Sequence, residues 1–364
     1  MRLINVVLVV LLFVAFVQIK AIPRFALRQH DSCMSCHVNP TGGEMRSEDG
    51  WYFGKNVVSM ISPRDKDIKL SPKIGDNISF GLDYRTQYLY SQAKSRSDFL
   101  DMEGSIYTNV DLSNKINVVG RYDFINSIWE GYGILHILPT DGYLKVGSFQ
   151  SNYGIRIDDH TAYTRGGDFG LLFSTGVRQG LLYDPLYTET GVEAGIHPFD
   201  HAMLTASVGK GKYSTTFAQD PTYTARFEVR PSIDKLQLLF GASAASTHLP
   251  RSASFYGGFA GFGYENFTLM GEYDASKDFV NPGVKSNFLM VEAAYKILIG
   301  LEAVVRYDWM DPNTSIDKDQ LAHVVAGFEF YPYSFVEVRP QYRFNIEDAN
   351  IKNDAFVLQF HFWY

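Results

Sequence analysis

Two cysteines and a histidine share one pentapeptide and are the residues best suited to do chemistry. The pentapeptide reads Cys33-Met34-Ser35-Cys36-His37, and the chain has two cysteines in all. Two thiols at this spacing can each form a thioether with one vinyl group of haem, and the adjacent imidazole can then bind the iron. The motif therefore predicts one covalent haem c, attached through Cys33 and Cys36, with His37 as the proximal iron ligand.

Two other uses of a Cys-x-x-Cys pair fit this sequence less well. A thioredoxin-like redox pair lies where a strand meets a helix in a βαβ unit, and no such pattern surrounds the motif. A zinc site requires further cysteine or histidine ligands close by. Covalent haem attachment therefore remains the favoured interpretation.

The sequence leaves the distal iron ligand open. Met45 follows a turn-forming segment, residues 39–43, which could fold its thioether back over the haem. His30 lies just ahead of the motif and is the competing candidate, and either His136 or His323 could also supply the ligand. A methionine ligand would raise the reduction potential, whereas a histidine would leave it lower.

Residues 1–21 have the pattern of a secretory signal peptide. A basic residue precedes an apolar run from Leu3 to Val17, and a small residue, Ala21, closes the segment. We expect the mature chain to start at about Ile22, because the run is shorter than the roughly 20 residues that a membrane-spanning helix needs. An uncleaved membrane anchor is the alternative.

Residues 22–74 form a segment with few long apolar runs. A piece of this size rarely builds a stable core without a cofactor or a larger body to pack against. We therefore expect the haem-bearing segment to fold as a plug inside the rest of the protein.

From residue 75 to residue 364 the sequence alternates with a period of two. In the segment from Ile299 to Trp309 the odd-numbered positions are apolar or aromatic, whereas the even-numbered ones include Glu302, Arg306 and Asp308. Strands of about 10 residues are the length that a tilted strand needs to cross a bilayer. A soluble β-sandwich, with its apolar face inward, is the alternative.

Short turns and longer polar loops alternate between these segments, as in outer-membrane barrels. The pattern predicts an all-β fold, a 16-stranded transmembrane outer-membrane β-barrel with both termini in the periplasm. The final segment alternates up to Tyr364 and resembles the C-terminal signal for outer-membrane insertion. The predicted strands are residues 75–90, 101–112, 115–126, 128–138, 142–150, 187–197, 201–210, 222–231, 234–245, 254–264, 267–276, 286–297, 300–309, 320–331, 334–345 and 355–364.

Composition agrees with this architecture and excludes others. Aromatic residues make up 15% of the chain, which suits the aromatic girdles of a barrel. Charged residues make up 20%, too many for a bundle of transmembrane helices. The net charge of −7 gives no basic surface for nucleic acid.

The longest predicted loop, residues 151–186, is rich in charged residues and histidine. One interpretation is a surface or infolded loop that binds a metal ion or a redox partner through Asp158, Asp159 and His160. The other is a loop that constricts the pore through its own salt bridges, and we favour it. The charged and imidazole side chains of this loop are Arg156, Asp158, Asp159, His160, Arg165 and Asp168.

Together these features resemble the fused outer-membrane cytochrome-porins, which are best known from iron-oxidising bacteria. The resemblance implies an electron conduit in the outer membrane of a Gram-negative-type bacterium, with the barrel embedded in outer-membrane lipid. One partner would be a periplasmic c-type cytochrome, and the other an extracellular redox partner or metal ion such as Fe(II), which would make the protein an iron oxidase. The motifs that carry the resemblance are Ala21-Ile22-Pro23-Arg24-Phe25-Ala26, the segment from Gln29 to His37, Pro40 and Phe53-Gly54-Lys55.

Two other functions fit the same sequence. The barrel could be a transport porin for small solutes, with the haem segment as a structural or gating plug. It could also be a small-solute channel whose Cys-x-x-Cys-His motif carries no haem. A haem-stained gel separates the last interpretation from the first two.

Overall fold

The computed structural model describes residues 23–29, 32–43, 45–62, 71–157, 159, 161–167, 180–211, 221–248, 252–347 and 352–364. The predicted signal peptide, residues 1–21, lies outside the described residues. No helix in the described ranges is long and apolar enough to span a membrane.

Sixteen long strands form the body of the protein within the described ranges. They are β1 (Ile78–Ser91), β2 (Arg96–Ser113), β3 (Ile116–Asp123), β4 (Ile128–Leu138), β5 (Gly142–Phe149), β6 (Glu189–Ile196), β7 (Ala202–Gly211), β8 (Thr222–Val229), β9 (Leu236–Thr247), β10 (Ala253–Tyr264), β11 (Phe267–Lys277), β12 (Lys285–Leu298), β13 (Leu301–Asp311), β14 (Leu321–Tyr333), β15 (Val336–Glu347) and β16 (Ala355–Trp363). Two further strands of two residues each, Lys73–Ile74 and Ser232–Ile233, extend the sheet beside β1 and β9.

The sheet closes on itself. Every long strand pairs antiparallel with its neighbours in sequence, and β16 pairs with β1, with Gln359 opposite Gln87. A closed sheet leaves no unpaired strand edge, which a bilayer would not tolerate. The predicted 16-stranded barrel is therefore confirmed, with strand ends that differ from the predicted ones by a few residues.

The largest boundary difference is at the start of β2. The sequence pattern predicts a loop near residues 91–100, but β2 begins at Arg96, and its pairing with β1 extends as far as Ser91. The first four residues of β2 are exposed. Because neither face of this extension is buried, its residues carry no alternating apolar pattern, and the strand cannot be recognised from the sequence.

The inward face of the barrel is polar and its outward face is apolar. In β13, Glu302, Arg306 and Asp308 are buried inside the barrel, whereas Val305 is exposed on the outside. This is the reverse of a soluble sandwich, whose apolar face points inward. The sandwich alternative is therefore excluded. Exposed aromatic residues on the outer surface include Tyr122, Trp129, Tyr223, Tyr256, Tyr273, Tyr295 and Phe344.

Short turns gather at the end of the barrel where the chain terminates. Tyr364 donates its backbone N–H to the carbonyl of Leu82 in β1 at 2.8 Å, which holds both ends of the barrel sequence together. One of the short turns has Thr140 and Asp141 at positive φ, the conformation of a tight hairpin turn. The longer connections lie at the opposite end, so the predicted alternation of turn lengths holds for most of the chain.

Three short helices lie in the lumen and form the plug, which we define as described residues 23–62. They are α1 (Pro23–Gln29), α2 (Cys33–Cys36) and α3 (Glu48–Asn56). Leu27 of α1 packs in a buried cluster with Phe259 and Met270 of the wall. Beyond α3 the chain leaves the lumen at the short-turn end, where Ile61 forms a parallel bridge with Tyr333.

Candidate functional site

The predicted haem motif occupies a single helical turn that α3 holds in place. The backbone N–H of His37 donates to the carbonyl of Cys33 at 3.0 Å, which closes the turn. The N–H of Ser47 donates to the carbonyl of Cys36 at 2.9 Å. Ser47 also caps α3 by accepting from the N–H of Gly50 at 3.2 Å. The motif is therefore fixed by backbone contacts with the start of the next helix.

Gly50 allows α3 to approach the motif closely. A Cβ at this position would lie 2.0 Å from the carbonyl oxygen of Cys36. Only glycine lets the two backbones come so near. The sequence shows a glycine here, but it gives no sign of which backbone the glycine meets.

An isolated antiparallel bridge pairs His37 with Arg46. Beside it, the N–H of Val38 donates to the carbonyl of Met45 at 3.0 Å. Directly opposite residues of an antiparallel pair share one face, and their neighbours share the other. The imidazole and the guanidinium therefore face one side, and the methionine thioether faces the other.

The structure places Met45, the first candidate distal ligand, against the barrel wall. It is 2% exposed and packs with Tyr107, Tyr132 and Phe149 of the wall, and Val38 packs against the same cluster. It does not line the cavity that the haem motif faces. This arrangement gives Met45 a packing role, and its role as a distal ligand stays a prediction that the described geometry does not favour.

The histidine candidates for the distal position are not brought to the haem motif. His30 lies outside the described residues. His136 is on β4 and His323 on β14, and neither lines the cavity that holds the motif. His323 instead lies 2.8 Å from Asp308 through Nε2.

One histidine that the sequence analysis missed does line the cavity. His361 of β16 places its two ring nitrogens 2.9 Å from Asp83 and 2.9 Å from Glu337. The alternation of β16 puts it on the face opposite to Phe360 and Phe362, so a strict period-two count could have found it.

The cavity lies between the plug, the wall and described residues of the loop between β5 and β6, and has a volume of about 350 Å³. Cys33, Cys36 and His37 all line it. Its size is within the range of sites that bind cofactors and small molecules. The three residues of the predicted attachment motif thus open onto one lumen cavity.

The residues of the motif fit a covalently attached haem. Cys33 and Cys36 are not joined by a disulfide, as thioether attachment requires. Gly42, at a φ of +84°, leaves room beside the thiol of Cys33, because a Cβ there would lie 3.2 Å from Sγ. Burial raises the pKa of the Cys33 thiol. The donor set of two thiols and an imidazole is the one that haem c requires.

The charged loop between β5 and β6 folds into the lumen and crosses to the far wall. Nη2 of Arg165 lies 2.6 Å from Oε2 of Glu272 in β11, and the N–H of Ile155 donates to the same carboxylate at 2.8 Å. The N–H of Gly154 donates to the hydroxyl of Ser243 in β9 at 2.9 Å. These contacts join the loop to the wall rather than to itself, and its role in constricting the pore stays a prediction.

Asp159 of this loop is held by two arginines of the wall. Its Oδ2 lies 2.9 Å from Nη2 of Arg306 and 3.0 Å from Nη2 of Arg343. Asp158, His160 and Asp168 lie outside the described residues. Within the described part of the chain, no three His, Cys, Asp or Glu side chains are grouped to hold a metal ion. The metal or partner site at Asp158, Asp159 and His160 stays a prediction.

Two arginines of α1 bind the plug to the wall. Arg24 forms ion pairs with Glu292 at 3.3 Å and with Glu329, and Arg28 donates to Glu302 at 2.8 Å. Burial alone would lower the pKa of Arg24, but the three surrounding carboxylates raise it well above its ordinary value. The sequence gives no signal for these pairs, because the three glutamates lie on three different strands, β12, β13 and β14.

A second cavity, of about 260 Å³, adjoins the first. Arg85, Glu103, Arg121 and Arg339 line both. The second cavity also contacts Asp159 and Thr161 of the infolded loop and Gln87 and Gln359 of the wall. The lumen is thus divided into two polar compartments that share a wall of paired charges.

A closed barrel of sixteen antiparallel strands with an infolded loop has the fold of the outer-membrane porins. Solved structures support this assignment. OprB of Pseudomonas putida is 9% identical over 86% of this chain and 100% of its own, with a TM-score of 0.63. In-vitro folded OmpT of Vibrio cholerae is 11% identical over 82% and 100%, with a TM-score of 0.55.

A third solved structure is the outer-membrane channel DcaP of Acinetobacter baumannii, 13% identical over 79% of this chain and 97% of its own, with a TM-score of 0.53. At these identities the likeness concerns the fold. No family model matches the sequence. No curated protein matches it either.

Proposed function

We propose that this protein is an outer-membrane barrel that carries one covalent haem c on an internal plug. Its function would be to move electrons between a periplasmic c-type cytochrome and an extracellular donor or acceptor. The observation that carries the proposal is that Cys33, Cys36 and His37 together line a cavity inside a barrel of porin fold. The cytochrome-porin resemblance of the sequence supports the same assignment.

The residues of the plug have separate tasks in this proposal. Cys33 and Cys36 form the thioether bonds, and His37 binds the iron from the proximal side. Arg24 and Arg28 hold the plug to the wall. A haem attached there supplies a one-electron couple, and the protein supplies its position and its surroundings.

A single haem in the lumen requires a partner on each side. The apolar band of a barrel is about 25 Å tall, more than one haem can bridge. In outer-membrane barrels the short turns face the periplasm, so we assign the end that carries Tyr364 to that compartment. The periplasmic cytochrome would bind there. The extracellular partner would approach the end with the longer loops, and Fe(II) as the donor would make the protein an iron oxidase.

Purified protein in liposomes tests the conduit. A membrane-impermeant external reductant should reduce a cytochrome c trapped inside when the barrel is inserted. The Cys33→Ser variant, inserted at the same density, should abolish the transfer. Full haem content in the wild type without reduction of the trapped cytochrome would exclude the conduit.

A transport porin is the second candidate. It is favoured by the solved structures of similar fold, which include the channel DcaP, and by the two adjoining polar cavities of the lumen. In this case the haem segment would be a structural or gating plug. Liposome swelling in small sugars and amino acids separates the two functions, because a conduit needs no solute flux. A haem-stained gel separates both from a channel that has no haem.

A further inference from the structure

More arginines than carboxylates line the first cavity. Among the described residues, eight arginines and six carboxylates line it. Six of the arginines form ion pairs with carboxylates: Arg24, Arg85, Arg121, Arg165, Arg306 and Arg339. The other two, Arg46 and Arg156, form no ion pair with any described carboxylate.

Arg46 belongs to the plug and shares a face with His37 through the bridge between them. Its guanidinium lies over the ring of Trp363, 5.9 Å from the centroid. This contact is a cation–π interaction, which leaves the N–H groups without a carboxylate. Asp83 acts on this guanidinium electrostatically but forms no ion pair with it. The guanidinium therefore presents N–H donors without a carboxylate partner to the cavity beside the predicted iron ligand.

Arg156 belongs to the infolded loop and reaches across to the plug. Its Nη1 donates to the carbonyl of Gly42, and its Nη2 lies 3.4 Å from the carbonyl of Gln150. Both acceptors are neutral. Gly43 makes room for the guanidinium, because a Cβ at this position would lie 2.5 Å from Nη1. The turn thus leaves space for the guanidinium of Arg156, which forms no ion pair with a described carboxylate.

Both arginines are half-buried. A cation that is partly removed from water and has no carboxylate partner is stabilised by an anion with good hydrogen-bond geometry. Guanidinium groups bind carboxylates through paired N–H donors. We propose that Arg46 and Arg156 are a carboxylate-binding pair and that they hold the two propionates of the haem. This inference rests on the proposed function, since it assumes that the haem is attached in this cavity.

Arg46 is on the plug and Arg156 is on the infolded loop, so propionates held by both would connect these two parts of the lumen. A free dicarboxylate in the lumen offers the same chemistry as the propionates. Haem-bearing protein should therefore bind no free dicarboxylate at this pair, whereas protein without haem should bind it.

Resonance Raman spectroscopy of the purified, haem-bearing protein tests the pair directly. The bending bands of the propionates respond to their hydrogen bonds. We expect R46Q and R156Q each to shift one band, and the double variant to shift both. R121Q is the matched control, because Arg121 lines the same cavity but is paired with Glu130 at 2.8 Å. It removes the same charge and should leave both bands unchanged.

G43A provides a second route to the same result. Its Cβ displaces the guanidinium of Arg156 and should reproduce the band shift of R156Q without removing the charge. Heat-modifiable migration in gels reports barrel folding for every variant. Unchanged propionate bands in the folded, haem-bearing double variant would overturn the inference.

Calorimetry with succinate separates the haem propionates from a free carboxylate. The variant C33S/C36S should bind succinate, and adding R46Q and R156Q should weaken the binding by about tenfold or more. Wild-type protein with haem should not bind it. If the wild type contains no haem, the proposed function fails. If succinate then binds and R46Q and R156Q weaken the binding, Arg46 and Arg156 are still a carboxylate-binding pair. If succinate does not bind, the inference that they form such a pair is overturned as well.

Discussion

Arg165 of the infolded loop and Glu272 of β11 form a buried ion pair, with Nη2 and Oε2 2.6 Å apart. The loop leaves the wall after β5, and this pair fixes it six strands further round the barrel. The same carboxylate accepts the N–H of Ile155 at 2.8 Å. One glutamate of the wall thus holds both the backbone and a side chain of the loop that narrows the lumen.

Arg165→Ala should release the loop. Removing one partner of a buried pair leaves an uncompensated carboxylate and typically costs about 3–5 kcal/mol. The open-channel conductance in planar bilayers should rise, because the loop no longer holds its inward position. Arg165→Met combined with Glu272→Leu is the control, since removing both charges leaves no uncompensated carboxylate, and stability should return except for the lost bond from the N–H of Ile155. An Arg165→Ala barrel with wild-type conductance would contradict this role for the loop.

Arg24→Gln should loosen the plug. The change removes this buried partner from Glu292 and leaves Glu329 with its longer pair to Arg339 at 3.6 Å, so the cost should approach the roughly 3–5 kcal/mol of a broken buried pair. Limited proteolysis should cut the N-terminal segment faster while the barrel stays folded. Lys235→Gln is the control, because its pair with Glu265 is exposed and joins two turns of the barrel rather than the plug and the wall. Equal proteolysis rates for the two variants would argue against docking through Arg24.

Met45→Leu should leave the axial ligation of the haem unchanged. Met45 lies on the face of the 37–46 bridge opposite to His37 and packs against the wall. A leucine of similar volume should fill the same space at a cost below about 1.5 kcal/mol. Absorption and electron paramagnetic resonance spectra of the oxidised protein give the readout. If a spectroscopic signature of methionine ligation is lost in this variant, Met45 is the distal iron ligand and the prediction is wrong.

The strands could be predicted from the sequence because each carries its signal locally. The alternation that includes Glu302, Arg306 and Asp308 is complete within one segment, and the structure confirms which face is inside. The plug is different. The position of the plug depends on ion pairs between Arg24 and glutamates of three strands. Which side chains of the haem motif point to the cavity depends on the isolated bridge between His37 and Arg46. Such long-range pairings leave no periodic trace, so the orientation of Met45 and the position of Arg46 beside His37 could not be deduced.

Gly50→Ala should destabilise the haem motif. Its Cβ would lie 2.0 Å from the carbonyl oxygen of Cys36, so the backbone of α2 or α3 must move, at a cost of about 1–3 kcal/mol or more. We expect less covalent haem per folded barrel, measured as the ratio of haem to protein. Gly54→Ala is the control on the same helix, because its Cβ would meet the ring of Trp363 at 2.9 Å and not the backbone of the haem motif. Equal haem content in both variants would show that the close approach at Gly50 is not required.

Alkaline pH should weaken the packing of the loop tyrosines. Tyr153 and Tyr183 stack with centroids 4.3 Å apart, and Tyr187 lies edge-on to Tyr183. Burial, reinforced by nearby carboxylates, raises the pKa of all three phenols. The folded state therefore keeps these protons when the unfolded state has lost them. The stability from the three phenols is fully present below the unfolded tyrosine pKa of about 10, and it declines as the pH rises above that value.

Unfolding in denaturant at increasing pH, followed by tyrosinate absorbance, measures this loss. Wild-type stability should decrease above about pH 10. The variant with Tyr153, Tyr183 and Tyr187 all changed to phenylalanine should show a smaller decrease, because it has no buried phenol to ionise there. Identical pH profiles for the two proteins would mean that these phenols ionise equally in the folded and unfolded states, contrary to their burial within the infolded loop.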